Sequence, residues 1–406
     1  MDHMDNQYCR PGFFSYLLAR IASFFVANII FCRRFLRNEL KSVRGPCVVI
    51  ANHECALDFV NLIGATRRPM TFVISNSFYQ SLPVKGIMDR MHVIPKQQFQ
   101  TGVNDLKRMK AVIDSGQILV IYPAGLMSED GLSTPIPQAT CKFLKWLKAD
   151  VYMARIRGSY FVMPKWAKGL RPGRTTMDIY RLFEKNELSS LPLSEIRERT
   201  ERALLFDAYR EQEALQYRYA RNNDIRGLES VLYQCPQCGG EFTVAAAGSD
   251  TLCCSKCGYR AHSDAYGFLH TESGETPLRY VSDWSLMIQQ NTIDTLRREP
   301  DYSISSPTRI HMIDPKRCNF TDVGEGVVSL DGSHFHLRGK IRNRNADIAI
   351  PIANIPTLPF KPGIRIELQN GPEIYRCVLD DGRMAMKFIR VLKAFYQIHT
   401  ENESLR

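Results

Sequence analysis

The sequence predicts an α/β domain with a mostly parallel sheet flanked by helices, followed by a small metal-held knot and a β-rich barrel closed by one helix. Three observations carry this. From Pro46 to about residue 185, short β-branched runs alternate with amphipathic stretches, the pattern of buried strands alternating with helices. Two Cys-x-x-Cys pairs follow within residues 227–270. From about Ser303 to Asp380 the chain is strand-like, with turns at Asp331-Gly332, Asn370-Gly371 and Asp381-Gly382.

The domain limits follow as 1–40 for a membrane-associating helix, 41–220 for the α/β domain, 227–270 for the knot and 300–406 for the barrel. A chain of 406 residues has room for two to four domains at ~100–200 residues each. Hydrophobic residues at 44% and charged residues at 23% are ordinary globular usage and exclude disorder, collagen and disulfide miniproteins. The net charge of +11 is uneven. Residues 1–183 hold 25 basic and 12 acidic side chains, whereas residues 184–406 hold 28 and 30. The first half therefore seeks an anionic partner: nucleic acid, an anionic membrane surface or a phosphorylated substrate.

In chain order, Phe13 to Cys32 is strongly apolar and about the length of a membrane span. Arg20 sits in its middle, and an Arg at mid-bilayer costs at least ~2.5 kcal/mol. No small-residue cleavage site accompanies it. Arg33, Arg34, Arg37 and Lys41 follow. The stretch reads as an interfacial helix, or two short ones, with basic residues on anionic lipid; a buried first helix is the other reading. Strands are expected at 47–52, 71–75, 92–96, 118–125 and 151–158, and helices at Asp58–Ala65, Val103–Ser115 and Gln138–Lys148. Residues 193–215 read as one charged amphipathic helix. Further helices are expected at Ser282–Arg298 and Met384–His399.

The sharpest local signal is Asn52-His53-Glu54-Cys55-Ala56-Leu57-Asp58, between a buried strand and a helix. A carboxylate five residues beyond a His at such a turn can hold one imidazole nitrogen, leaving the other to take a proton from a hydroxyl. Three more segments follow in order: MHVIPKQQ (91–98), with Lys96; IYPAGLMSEDG (121–131), with Tyr122, Pro123, Gly125 and Ser128; and FVMPKW (161–166), with Pro164. Together these resemble the four motif blocks of the glycerophospholipid acyltransferase family, the 1-acyl-sn-glycerol-3-phosphate (lysophosphatidic acid) acyltransferases, over about residues 45–185. Two departures stand out: Lys96 replaces the usual Arg, and Ala124 replaces the usual Glu of the third block.

The resemblance implies an O-acyltransferase. His53 would act as general base and Asp58 would orient it. Lys96 would pair with an acceptor phosphate. Tyr122, Pro123, Gly125, Ser128 and Pro164 would line the substrate site, with backbone N–H groups near Gly125 stabilising the oxyanion. The donor would be acyl-CoA, acyl carrier protein or an acyl phosphate, and the acceptor a lysophospholipid. Arg90, Lys85 and Arg157 are further basic candidates, each more often a solvated surface charge. A Cys55–His53 nucleophile is conceivable, though family chemistry needs no thiol. A basic, membrane-seated first half suits a lysophospholipid. No aromatic–basic motif supports nucleic acid as a partner. The location implied is the cytoplasmic face of a membrane, peripheral or monotopic. Ala124 keeps two alternatives open: a non-catalytic lipid- or protein-binding scaffold, or a non-glycerolipid acceptor.

Cys235, Cys238, Cys254 and Cys257 have the spacing C-x2-C-x15-C-x2-C, each pair followed by Gly. This is zinc-site spacing and resembles a zinc ribbon. Four thiolates leave no open position, so the expected Zn2+ is structural. Cys253 would give a longer knuckle, which favours Cys254. The C-terminal strand run and its helix look like a pleckstrin-homology-type or GRAM-type barrel. His334 and His336 alternate on an expected strand. They are either a metal-binding pair or a half-exposed strand pair.

Overall fold

The computed structural model describes residues 11–80, 85–96, 102–272, 277–314, 319–371 and 373–404. Gln97 and Gln98 of the second block lie outside these residues. The chain forms two compact units, one of residues up to 164 with 169–221, the other of 165–168 with 222–406.

The first unit is built on seven strands: β1 (Arg34–Asn38), β2 (Cys47–Ala51), β3 (Met70–Ser75), β4 (Ile94–Lys96), β5 (Ile118–Ile121), β6 (Asp150–Arg157) and β7 (Thr176–Phe183). Their order is β1-β7-β6-β2-β5-β3-β4. β6, β2, β5, β3 and β4 run parallel to one another, and β7 is antiparallel to β6 and parallel to β1. The central strands β2 and β5 are buried at every residue. Cys47, Val49 and Ala51 enter the core on one face, and Val48 and Ile50 the core on the other, the two-residue period of a strand covered on both sides. Helices Val103–Asp114, Ala139–Leu147 and Leu193–Leu204 cover the second face.

Two strands were not expected. β1 and β7 form the reversed edge of the sheet, and β1 has no fully buried residue. Residues 193–215 form two helices, Leu193–Leu204 and Ala208–Leu215. The break comes at Asp207, whose carboxylate accepts the N–H groups of Tyr209 and Arg210 and so starts a new helix.

The helix Phe13–Ile29 buries Tyr16, Ser23 and Ala27. Tyr16 Oη accepts from Met70 N at 3.2 Å, and Arg20 donates to Arg67 O at 2.9 Å. Arg20 therefore faces protein, not the outer side of the helix. On that outer side Phe13, Phe14, Leu18, Ile21, Phe24 and Phe25 are exposed. Of the basic residues assigned to lipid, Arg33 donates to Asn61 O at 2.7 Å and Arg37 to Glu39 at 2.8 Å. Arg33 also needs a glycine: a Cβ on Gly64 would lie 2.6 Å from its guanidinium. No helix among the described residues is long and apolar enough to cross a membrane.

The second unit begins with a four-stranded antiparallel sheet of β8 (Val244–Ala246), β9 (Thr251–Cys254), β10 (Arg260–Ser263) and β11 (Leu269–Thr271). After helix Val281–Arg298 come β12 (Ile304–Asp314), β13 (Asn319–Leu330), β14 (His334–Ile341), β15 (Arg344–Pro351), β16 (Phe360–Lys361), β17 (Arg365–Asn370) and β18 (Glu373–Leu379). Helix Met384–Ser404 ends the chain's described elements. These seven strands form an antiparallel sheet ordered β15-β14-β13-β12-β18-β17-β16. The expected barrel is not closed: among the described residues, β15 and β16 remain its two edges. The reason is local. β15 has no buried residue, so nothing apolar draws it round, and β16 is only two residues long. The helix instead packs on the sheet, with Phe388 against Phe335 at 5.6 Å between ring centres.

Candidate functional site

Parallel strands place their following loops on one side, at their carboxyl ends, where α/β sheets bind ligands. β2, β5 and β6 are neighbours, so the segments after Ala51, Ile121 and Arg157 converge. Asn52 fastens the first of them. Its side-chain amide donates to Ile156 O at 2.8 Å, and its oxygen accepts from Ile156 N at 2.7 Å. The side chain thus extends the ladder to β6 while the backbone turns away.

That turn brings His53 to Asp58, with Nδ1 2.9 Å from Oδ2. The same oxygen accepts the N–H groups of Glu54 at 2.7 Å and Cys55 at 2.9 Å. The other oxygen accepts the Ser159 hydroxyl at 2.6 Å and the Cys55 thiol at 3.5 Å. A carboxylate so surrounded by donors makes Nδ1 the N–H of His53 and leaves Nε2 as a base. Asp58 is sealed from solvent, whereas the His53 side chain is 20% exposed. One end of the pair is fixed and the other is open to a substrate. Burial pushes the Cys55 thiol well above its ordinary range, with the charge of Asp58 adding to the effect. Burial and the neighbouring Asp58 carboxylate both disfavour the Cys55 thiolate a nucleophile would need.

The third block lies directly after β5. Tyr122 stacks on His53 with ring centres 4.4 Å apart and planes at 32°. The Tyr122 hydroxyl is buried without a partner among the described residues, and burial raises its pKa. Pro123 is the second residue of a four-residue turn closed by Gly125 N donating to Tyr122 O at 3.0 Å. The Gly125 N–H, expected to serve an oxyanion, is thus engaged in the turn. Gly125 has φ +68° with open space on the side a Cβ would occupy. Ser128 is a loop fastener: its N–H donates to His53 O at 3.0 Å, and its hydroxyl donates to Leu132 O at 2.7 Å and accepts from Gly131 N at 2.9 Å.

Lys96 ends β4, paired with Ser75. β4 is three strand spacings from β2 in the sheet, or roughly 14 Å at 4.7–4.9 Å per spacing. Burial lowers its pKa, with Asp105 opposing the shift. Pro164 is buried, five residues beyond Ser159. Arg157 pairs with Asp178 and approaches Glu211 at 3.9 Å, so it is an internal ion pair.

Sequence reasoning missed two groups here. Ser159 holds Asp58 across 101 positions, and only its place in the turn after a strand hinted at it. Glu54 is 1% exposed, and its carboxylate accepts Tyr160 N at 2.9 Å. Burial lifts its pKa well above 4.5, aided by the charges of Glu211 and Asp58.

In the second unit, Cys235, Cys238, Cys254 and Cys257 bring their sulfurs within 4.8 Å of one another. Cys235 to Cys257 is 3.6 Å and Cys238 to Cys254 is 3.8 Å. A tetrahedral ion with ~2.3 Å bonds to sulfur sets such separations at about 3.8 Å, so the four residues can hold a metal ion. Gly239 and Gly258 adopt φ of +67° and +80°, the conformation that turns the chain after each pair. Cys253 is outside the group, its sulfur 3.8 Å from Cys254 O.

Comparison with known proteins bears on the first unit. Residues 33–164 match the family model described as Acyltransferase, a span from β1 through Pro164 that includes His53 and Asp58. A chloroplastic 1-acyl-sn-glycerol-3-phosphate acyltransferase, BAT2, from Brassica napus is 25% identical over 135 residues. That alignment covers 32% of this chain and 39% of the relative; the chain thus spans well under half of the curated relative it matches. The crystal structure of the 1-acyl-sn-glycerophosphate (LPA) acyltransferase PlsC from Thermotoga maritima aligns with a TM-score of 0.40 and 16% identity, covering 50% of this chain and 78% of that one.

Proposed function

We propose that the protein is a membrane-associated O-acyltransferase that moves a fatty acyl group from a thioester or acyl phosphate to the hydroxyl of a lysophospholipid, 1-acyl-sn-glycerol-3-phosphate first among them. The observation that carries this reading is the His53–Asp58 pair, buried at one end and open at the other. It stands within the span that matches the acyltransferase family model.

In the proposed reaction Nε2 of His53 accepts the acceptor's hydroxyl proton as the oxygen attacks the acyl carbonyl carbon. The carbon–sulfur bond of a thioester donor then breaks, and the proton passes to the departing thiolate. Asp58 holds the ring and stabilises its charged form. Tyr122, against the ring face, favours the same charge through its π-system. Lys96, drawn partly out of water, gains from an anionic partner such as the acceptor phosphate. Pro123, Gly125 and Ser128 shape the loop beside His53, and Pro164 closes the chain segment after β6.

The exposed apolar side of helix Phe13–Ile29 supports seating on a membrane surface, with the body of the protein on the cytoplasmic side. The four-cysteine group is assigned zinc, as its all-sulfur ligand set suits, in a structural role.

The test is a transfer assay with purified protein in detergent. Acyl-CoA and acyl carrier protein thioesters are offered against lysophosphatidic acid and other lysolipids. Wild-type protein is expected to form product. His53→Ala should lower turnover by at least about a hundredfold, the scale of a lost general base. Retained activity in that variant would remove the reading. A folded wild-type protein inactive across the panel would favour the scaffold alternative, with Ala124 as its first cause.

A further inference from the structure

The turn between β13 and β14 gathers three metal-ligand side chains that the acyltransferase reading does not use. We propose that Asp331, His334 and His336 form a second cation site, selective for a zinc-like divalent ion.

His334 and His336 alternate along β14, so both stand on one face, while Phe335 and Leu337 between and beyond them are fully buried on the other. Their rings are 5.6 Å apart. Asp331, at the turn, joins them: one ligand atom from each of the three lies within 4.8 Å of the others. The turn presets the carboxylate. Asp331 Oδ1 accepts Ser333 N at 2.8 Å, the Ser333 hydroxyl at 2.6 Å and His334 N at 2.9 Å. Its Oδ2 is left facing His336 Nε2 at 3.4 Å. Two ligand atoms bound at ~2.0–2.2 Å in a tetrahedron are about 3.4 Å apart, so that pair already has the separation an ion requires. The ligand atom of His334 lies within 4.8 Å of both. The set has two nitrogens, one oxygen and an open fourth position, and all three residues are partly exposed. This ligand chemistry suits zinc, nickel or copper over magnesium or calcium.

Neighbouring groups set the tautomers. His334 Nδ1 is 2.9 Å from the Ser333 hydroxyl, which can accept its proton and free Nε2 for the ion. His336 Nδ1 is 3.5 Å from an Arg338 nitrogen. Metal at Nε2 makes Nδ1 the proton carrier, so Arg338 must turn fully to Asp347, already 3.1 Å from its Nε. Arg338 therefore opposes binding, and removing it should strengthen the site.

The experiment uses the full chain with its four cysteines first filled with zinc. Cobalt(II) is then titrated while the visible spectrum is recorded. One further equivalent is expected, with ligand-field bands and no thiolate charge-transfer band. His336→Ala and His334→Gln should each weaken that binding by at least about tenfold, with unchanged far-UV circular dichroism. Arg338→Met should tighten it severalfold. No further equivalent, a further equivalent showing only thiolate charge transfer, or one that survives both histidine substitutions would overturn the proposal.

Discussion

At the scale of single residues, the His53–Asp58 pair was legible because its contact is local: the two are five positions apart, and one turn joins them. Their supports were not, because Ser159 and the Ile156 backbone reach the turn from about a hundred positions away. Glu54 shows the cost of the arrangement. Its carboxyl is buried beside Asp58 and Glu211 and holds its proton more tightly when folded than when unfolded. The folded state therefore binds more protons, and stability falls as pH rises from about 4.5 upward. Glu54→Gln keeps an acceptor for Tyr160 N and removes the titration. Urea unfolding should show the variant gaining more over wild type at about pH 8 than at about pH 5. An identical difference at both pH values would contradict this account.

Among the elements, the sequence exposed what is buried on both faces and hid what lies at an edge. β2 and β5 are continuous apolar runs because both faces of the sheet are covered. β1, at the rim, is short and has no buried residue, and β7 beside it mixes Asp178, Tyr180 and Arg181 among its buried residues, so neither reads as an apolar run. The knuckle glycines and the four cysteines were readable because a four-sulfur site able to hold a metal ion needs that spacing. The open C-terminal sheet was not, since closure depends on whether its outer strand buries anything, and β15 does not. The N-terminal helix has the clearest consequence at this scale. Its anchoring face is fixed by Tyr16 and Arg20, so the exposed face can be altered without disturbing the fold. Phe14→Ser, Leu18→Ser and Phe25→Ser together should abolish sedimentation with anionic vesicles and leave thermal stability within about 1 kcal/mol. Truncation through residue 40 is a poorer test, because it removes β1 from the sheet. Undiminished vesicle binding by the triple variant would place the contact elsewhere.

For the molecule as a whole, metal and fold should be coupled in one unit only. Trp284 is fully buried, donates to Gln234 O at 2.8 Å and packs on Tyr259 at 5.6 Å, within reach of both knuckles. Stripping the proposed ion with a chelator should shift Trp284 emission to longer wavelength while the His53-containing unit keeps its helical signal, read in a background with Trp146 and Trp166 replaced by Phe. Unchanged emission after complete metal loss would show that the knot holds without it. The division of the chain also has a history in time. Residues 165–168 belong with the second unit although the first resumes at Gly169, and a Cβ on Gly227 would meet Trp166 O at 2.3 Å. A ribosome therefore releases the buried Trp166 about sixty residues ahead of the segment that covers it, an interval of roughly three to twelve seconds at 5–20 residues per second. Until then Trp166 lacks this neighbour from the second unit.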